Sequence, residues 1–163
     1  MDLYTKAGLN LPVRPGPKPR TTDFSPHGQI SDNPELAVFE RMKAKFLELR
    51  GVEVGASLIS VPGTIALFVP EDHDCNPQGC LIGREFAHIH PAVDGSFHMM
   101  LEPSDAELVL ERGWGEPHLL ARTGRVPPNT LMIYAPRDEA EVDIVLQIAK
   151  AAYRYASNVP AAA

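Results

Sequence analysis

Three of the chain's six histidines fall in one stretch, Arg84 to Met100, read as REFAHIHPAVDGSFHMM. Their spacing is that of a β-hairpin that gathers imidazoles. Side chains alternate along a strand, so His88 and His90 share a face with Arg84 and Phe86, and Ser96, His98 and Met100 share a face on the return strand. With Pro91 to Gly95 as the loop, antiparallel pairing sets His90 opposite Ser96, His88 opposite His98 and Phe86 opposite Met100. Directly opposed residues point to the same side with Cβ atoms about 5 Å apart. This register puts three imidazoles on one face. It sends Glu85, Ala87, Ile89, Phe97, Met99 and Leu101 to the other.

Three roles suit such a face. His88, His90 and His98 could be the facial ligands of a divalent metal of the zinc or iron class, at about 2.0–2.1 Å, with open positions for water or substrate. Without a metal, one histidine would be a general base, and Arg84 with a second histidine would steady an enolate or oxyanion. In the third role the imidazoles form a hydrogen-bonded polar layer that supports the sheet. Outside the hairpin, His118 follows Trp114 in a Gly-Trp-Gly-Glu-Pro-His turn. Tyr134 and Arg137 stand where a strand ends and a helix begins, a place where ligand groups gather. His27, in Ser-Pro-His-Gly-Gln, reads as a loop residue.

The elements that must position these residues follow from periodicity. Leu36, Phe39, Met42, Phe46 and Leu49 form a helical stripe over 34–50, with Asp32 or Asn33 as cap, Pro34 in the first turn and Gly51 beyond the end. Val52–Val61 and Thr64–Val69 read as strands about Pro62-Gly63, followed by a polar loop over 70–79. Cys80–His90 and Gly95–Leu101 are the hairpin. Ser104-Asp-Ala-Glu107 is a capping box for a short helix ending before Gly113, and 121–129 is loop. Leu131–Tyr134 is a fifth strand. Asp138 caps a last helix to about Tyr155, whose buried stripe is Val142, Val145, Leu146, Ala149, Ala152 and Tyr155. The order α-β-β-β-β-α-β-α predicts an α+β fold: a mostly antiparallel sheet of about five strands with helices on one face. Residues 1–30 are an extended Pro/Arg-rich arm, 31–158 a single domain and 159–163 a frayed tail.

Composition narrows the function classes. A net charge of −6 is opposite to the basic surface that nucleic acid requires. No apolar run approaches the roughly 20 residues of a membrane helix, and no apolar leader opens the chain, so a cytoplasmic protein with no membrane or nucleic-acid partner is expected. Cys75 and Cys80 read as free thiols in a reducing compartment, with a disulfide across Asn-Pro-Gln-Gly as the alternative.

Four blocks occur in an order that resembles the fungal bioluminescence luciferase domain: Arg84-Glu85-x-Ala87-His88-x-His90, Asp94-x-x-x-His98, Gly113-Trp114-Gly115-x-x-His118, and Tyr134-Ala135-Pro136-Arg137 before an acidic helix start. The arm and Ser57–Pro70 are similar to the shorter bacterial luciferase-like proteins. The resemblance implies an oxygenase-type oxidoreductase acting on an enol or 2-pyrone, since fungal luciferases oxidise 3-hydroxyhispidin with molecular oxygen. It implies Arg84, Glu85, His88, His90, His98, His118, Tyr134 and Arg137 as catalytic candidates. Phe86, Asp94, Met100 and Trp114 are candidate substrate contacts. No cofactor is required on this reading, because an electron-rich enolate can pass an electron to oxygen directly. No counterpart of the fungal membrane anchor is expected here. Pro91-Ala92-Val93 replace a stretch that carries a further histidine in the fungal proteins, which argues against light emission.

Overall fold

The structure, a computed structural model, describes residues 9–158; residues 1–8 and 159–163, which include the start of the predicted arm and the whole predicted tail, lie outside them. The fold is α+β. Six strands form one sheet: β1 (Glu53–Ala56), β2 (Ile65–Phe68), β3 (Glu85–Ile89), β4 (Phe97–Met100), β5 (Gly115–Pro117) and β6 (Thr130–Ile133). Their spatial order is β1-β2-β3-β4-β6-β5, and every neighbouring pair is antiparallel. The helices are α1 (Leu36–Leu47), α2 (Pro103–Arg112), a single turn α3 (Leu119–Arg122), and α4 (Glu139–Ser157).

The central hairpin pairs in the expected register. His88 opposes His98, Ala87 opposes Met99 and Ile89 opposes Phe97. Pro91–Gly95 is the loop, closed by the amides of Asp94 and Gly95 on the Pro91 carbonyl, and Gly95 takes a φ of +78° that favours glycine. One face of this sheet is the core. Phe46 of α1 stacks on Phe97 at 5.0 Å between ring centroids, and Val142, Val145, Ile148 and Ala152 of α4 are buried. Burying each large apolar side chain contributes about 1.5–3 kcal/mol. Fixing α1 and α4 on this side leaves the histidine face for other chemistry.

Several elements differ from expectation for local reasons. Two strands are shorter than their apolar runs. β1 ends at Ala56 because Ser57 and Leu58 turn to hydrogen-bond Glu85. β3 starts only at Glu85 because Leu81–Arg84 form a turn, with Gly83 at a φ of +54°. β5 lies in the expected turn and α3 runs into the expected loop; β5 is too short for a periodic signal, and β6 supplies its pairing. Helix α2 starts from Pro103 with Glu102 before it, so Ser104 and Glu107 lie inside the helix and make no capping box. Helix α1 has no side-chain cap: Asp32 is left-handed, and Asn33 donates to Gln29 and Asp94 carbonyls instead. Leu36 faces solvent while Val38 is buried. In α4 the buried stripe includes Ile148 and Ala156, with Leu146 and Tyr155 at its margin. The Asp138 cap is present, accepting from the Glu141 amide at 2.9 Å.

Residues 9–30 are a strap rather than a fringe. Leu9 and Leu11 are buried in the core, the Trp114 indole donates to the Pro12 carbonyl at 2.7 Å, and the Arg14 amide donates to the Arg112 carbonyl. The segment then doubles back, with Thr21 bridging to Gln29, and the Ala135 amide donates to the Gln29 side chain at 2.9 Å.

Candidate functional site

The sheet positions the site by register. One row of opposed residues on the non-core face runs Ala66, His88, His98, Met132 and Glu116 across five strands. Two segments outside the sheet complete it. The strap lays His27 over the row, and the start of α3 brings His118. His98 is the centre: its ring centroid lies 4.3 Å from that of His118, 4.5 Å from His90, 5.0 Å from His88 and 5.6 Å from His27. The five imidazoles floor a cavity of about 720 Å³. Ile59, Val61, Ile82, Val93, Met100 and Leu120 line it, and no lysine or arginine does so among the described residues.

Glu85 arrives on the histidine face through a β-bulge. Leu67 pairs with Ala87 but Phe68 pairs with Glu85, so β3 carries one extra residue there and its alternation changes phase. The expected positions of Glu85 and Phe86 are therefore exchanged. Glu85 meets His88 Nδ1 at 2.8 Å, and its other bonds come from Ser57 Oγ and the Leu58 amide. Phe86 packs on the core side against Tyr153, at 5.7 Å between centroids, and does not line the cavity.

The hydrogen bonds fix which nitrogen of each ring carries the proton. The Leu120 amide donates to His118 Nδ1 at 3.0 Å, so neutral His118 carries its proton on Nε2. The Leu119 amide donates to His27 Nδ1, and His27 Nε2 donates to Glu116, which commits both nitrogens. The Ser96 hydroxyl donates to Asp94, so it accepts from His90 Nδ1 at 2.9 Å and leaves the His90 Nε2 lone pair free. His88 Nδ1 donates to Glu85, its Nε2 accepts from His98 Nδ1 at 3.1 Å, and His98 Nε2 is buried with no partner among the described residues.

Electrostatics favour the neutral forms of His98, His118 and His88. Burial pushes His98 well below the usual imidazole range, with neighbouring histidines adding to it. Burial and then the neighbouring histidines, His27 first, lower His118 to about 4. Burial also lowers His88, partly offset by Glu85. Burial alone would raise the Glu85 and Asp94 carboxyls; hydrogen bonds, from His88 foremost in one and His90 in the other, outweigh it and hold both low.

Glu116, between Trp114 and His118 and not among the expected site residues, is a second buried carboxylate on the histidine side. It accepts from Thr21, His27, Arg122 and Tyr134. Burial raises it, but the bonds from His27, Thr21 and Tyr134 bring it down to about 2. The visible signal was its place inside the Gly-Trp-Gly-Glu-Pro-His block. His27 had none, because only the strap's tertiary path brings it in.

The remaining candidates divide. His88, His90, Asp94, His98, Met100 and His118 line the cavity. Arg84 does not: the turn before β3 takes it out of the alternation, and its guanidinium is held by the carbonyls of Pro70, Glu71 and His73. It therefore cannot serve as the anion-steadying group expected of it. Tyr134 sits behind, donating to Glu116 at 3.0 Å. Arg137 pairs with Glu141 at 2.6 Å and donates to the Pro15 carbonyl. Trp114 is core. Cys75 and Cys80 are free thiols 3.4 Å apart, and burial, with Cys75 adding to it, pushes Cys80 up to about 12.

A single antiparallel sheet with a histidine-floored cavity on its outer face, built chiefly from residues 85–134, is the class of protein that fold and site define. Residues 83–152 match the profile of the Luciferase domain, and the chain is similar to that family. It is 32% identical over 168 residues to "Luciferase" of Armillaria mellea and 33% identical over 172 residues to "Luciferase" of Neonothopanus nambi. Each alignment covers 93% of this chain and 63% of the relative, so the chain spans less than two thirds of the proteins it matches. No solved structure matches it significantly. Among the described residues no helix is long and apolar enough to cross a membrane.

Proposed function

We propose that the protein oxygenates a neutral ring compound bearing an acidic enol, of the 2-pyrone kind, in the histidine cavity. One observation carries the reading: an apolar-walled cavity whose floor presents both free imidazole lone pairs and a fixed imidazole N–H, at His90, His98 and His118. A lone pair of the floor takes the enol proton. His118 Nε2–H donates to the oxygen that becomes negative, the part first expected of Arg84. The enolate carbon then gives two electrons to dioxygen and bonds to it, and the proton passes to the outer oxygen. Enol and one dioxygen thus become one α-hydroperoxy ketone, with no atom left over. A cavity without cationic side chains selects against carboxylated or phosphorylated substrates.

The test supplies 3-hydroxyhispidin and simpler 2-pyrone enols while oxygen uptake and light are followed. One dioxygen consumed per substrate is expected, and His118→Ala should lower turnover about 10²-fold while changing KM less. If no compound of the panel consumes oxygen, or if His98→Ala and His118→Ala both retain full turnover, the proposal fails.

A further inference from the structure

We infer that His88, His90 and His98 form a binding site for one divalent first-row metal ion, with Glu85 and Asp94 as its outer carboxylates. The site rests on geometry alone; with the ion bound the His90 and His98 lone pairs are ligands, so the ion and the metal-free base of the proposed function are alternatives for the same nitrogens. One nitrogen from each of the three rings lies within 4.8 Å of the others, and all three residues are buried.

The hydrogen-bond pattern around the rings is that of metal ligands. A ligating histidine almost always donates its second N–H to a carboxylate, carbonyl or water, which fixes the ring and frees the ligating lone pair. His88 does so directly, Nδ1 to Glu85 at 2.8 Å. His90 does so through Ser96, whose hydroxyl is turned to Asp94, and Asp94 Oδ2 also lies 3.4 Å from His90 Nδ1. Both rings therefore aim Nε2 lone pairs inward. His98 adds Nδ1, 3.1 Å from His88 Nε2; it can ligate once its proton moves to Nε2, which is buried with no partner among the described residues and so is free to take it. Two nitrogens at about 2.1 Å from one ion, at a right angle to each other, stand about 3 Å apart. Three neutral imidazoles with two outer carboxylates also balance a charge of +2 without a net buried charge.

A second group, His27, His98 and His118, is equally close in space. The backbone excludes it. His27 and His118 each accept a main-chain amide on Nδ1, so their other nitrogens hold protons and have no lone pair to give. Proximity alone favours neither triad; the tautomers choose the first. The cavity above provides room for further ligands, and an all-imidazole set suits zinc, iron or cobalt.

The test uses the full chain without a histidine tag, freed of metal by dialysis and titrated with Zn²⁺ by calorimetry and with Co²⁺ by visible absorption. One equivalent should bind. His88→Ala and His90→Ala should abolish binding, Glu85→Gln should weaken it about 10- to 100-fold with the stoichiometry kept, and His118→Ala should leave the Zn²⁺ affinity within about twofold. Circular dichroism checks that each variant is folded. If His88→Ala does not fold, His90→Gln and the rise in melting temperature on adding Zn²⁺ give the same comparison. Binding below a tenth of an equivalent overturns the inference, and so does binding lost in His118→Ala but kept in His90→Ala. Because no substrate is present, failure of the oxygenation proposal leaves this result standing, and the converse holds too.

Discussion

Glu116 is the residue whose surroundings make the sharpest demand. Its carboxylate is buried and receives four donors, one of them the ring that lies over His98. A carboxyl held at about 2 rather than 4.5 stabilises the folded chain above the ordinary value, and that contribution disappears as pH falls from about 4.5 through about 2. The linkage is worth about 3 kcal/mol at most. Glu116→Gln should therefore be less stable than the parent at pH 7, with the gap narrowing as pH approaches 2. Urea unfolding of both proteins across that range measures it, and a gap independent of pH contradicts the assignment. The side chains beneath His27 thus belong to stability first and to the site through it.

At the scale of elements, the hairpin register was readable because alternation and a five-residue loop leave little freedom. Pairing of His88 with His98 follows from counting, and so do the Phe97 and Met99 core positions. The bulge at Glu85–Phe86 was not readable. A single added residue leaves the local pattern of types unchanged, and only the pairing with β2 exposes it. Glu85 was named as a site residue by resemblance, although the alternation pointed it the wrong way. For the same reason His118 was legible from its motif, whereas His27 was not. The core side carries a plain prediction: Phe97→Ala removes the ring stacked on Phe46 and should cost about 3–5 kcal/mol in chemical denaturation. A cost below about 1 kcal/mol would mean that α1 does not brace the strand behind His98.

At the scale of the whole molecule, residues 9–30 pack against the elements that follow them. The sequence suggested a separate arm because prolines carry no period, and contacts between distant segments leave no local trace. Removing residues 1–30 strips Leu9 and Leu11 from the core, the Pro12 carbonyl from Trp114 and His27 from the cavity. Loss of the two leucines alone is worth about 4–10 kcal/mol, enough to lower the melting temperature by more than about 10 °C. A truncated chain that melts with the parent would show that the strap is dispensable. Ile59, Val61, Ile82 and Val93 are exposed at the cavity, which gives an apolar ring a greasy entrance.

The strap also sets an order of assembly. Its bonds join Pro12 to Trp114, Gln29 to Ala135 and Pro15 to Arg137, across 102, 106 and 122 residues. During translation the segment bearing His27 leaves the ribosome long before the strand and helix that receive it. Such distant closures are slow, because loop entropy is spent before contacts return it. The nascent chain therefore waits with Leu9 and Leu11 uncovered, and the histidine cavity is roofed only after β5 and α3, which receive His27, have been made.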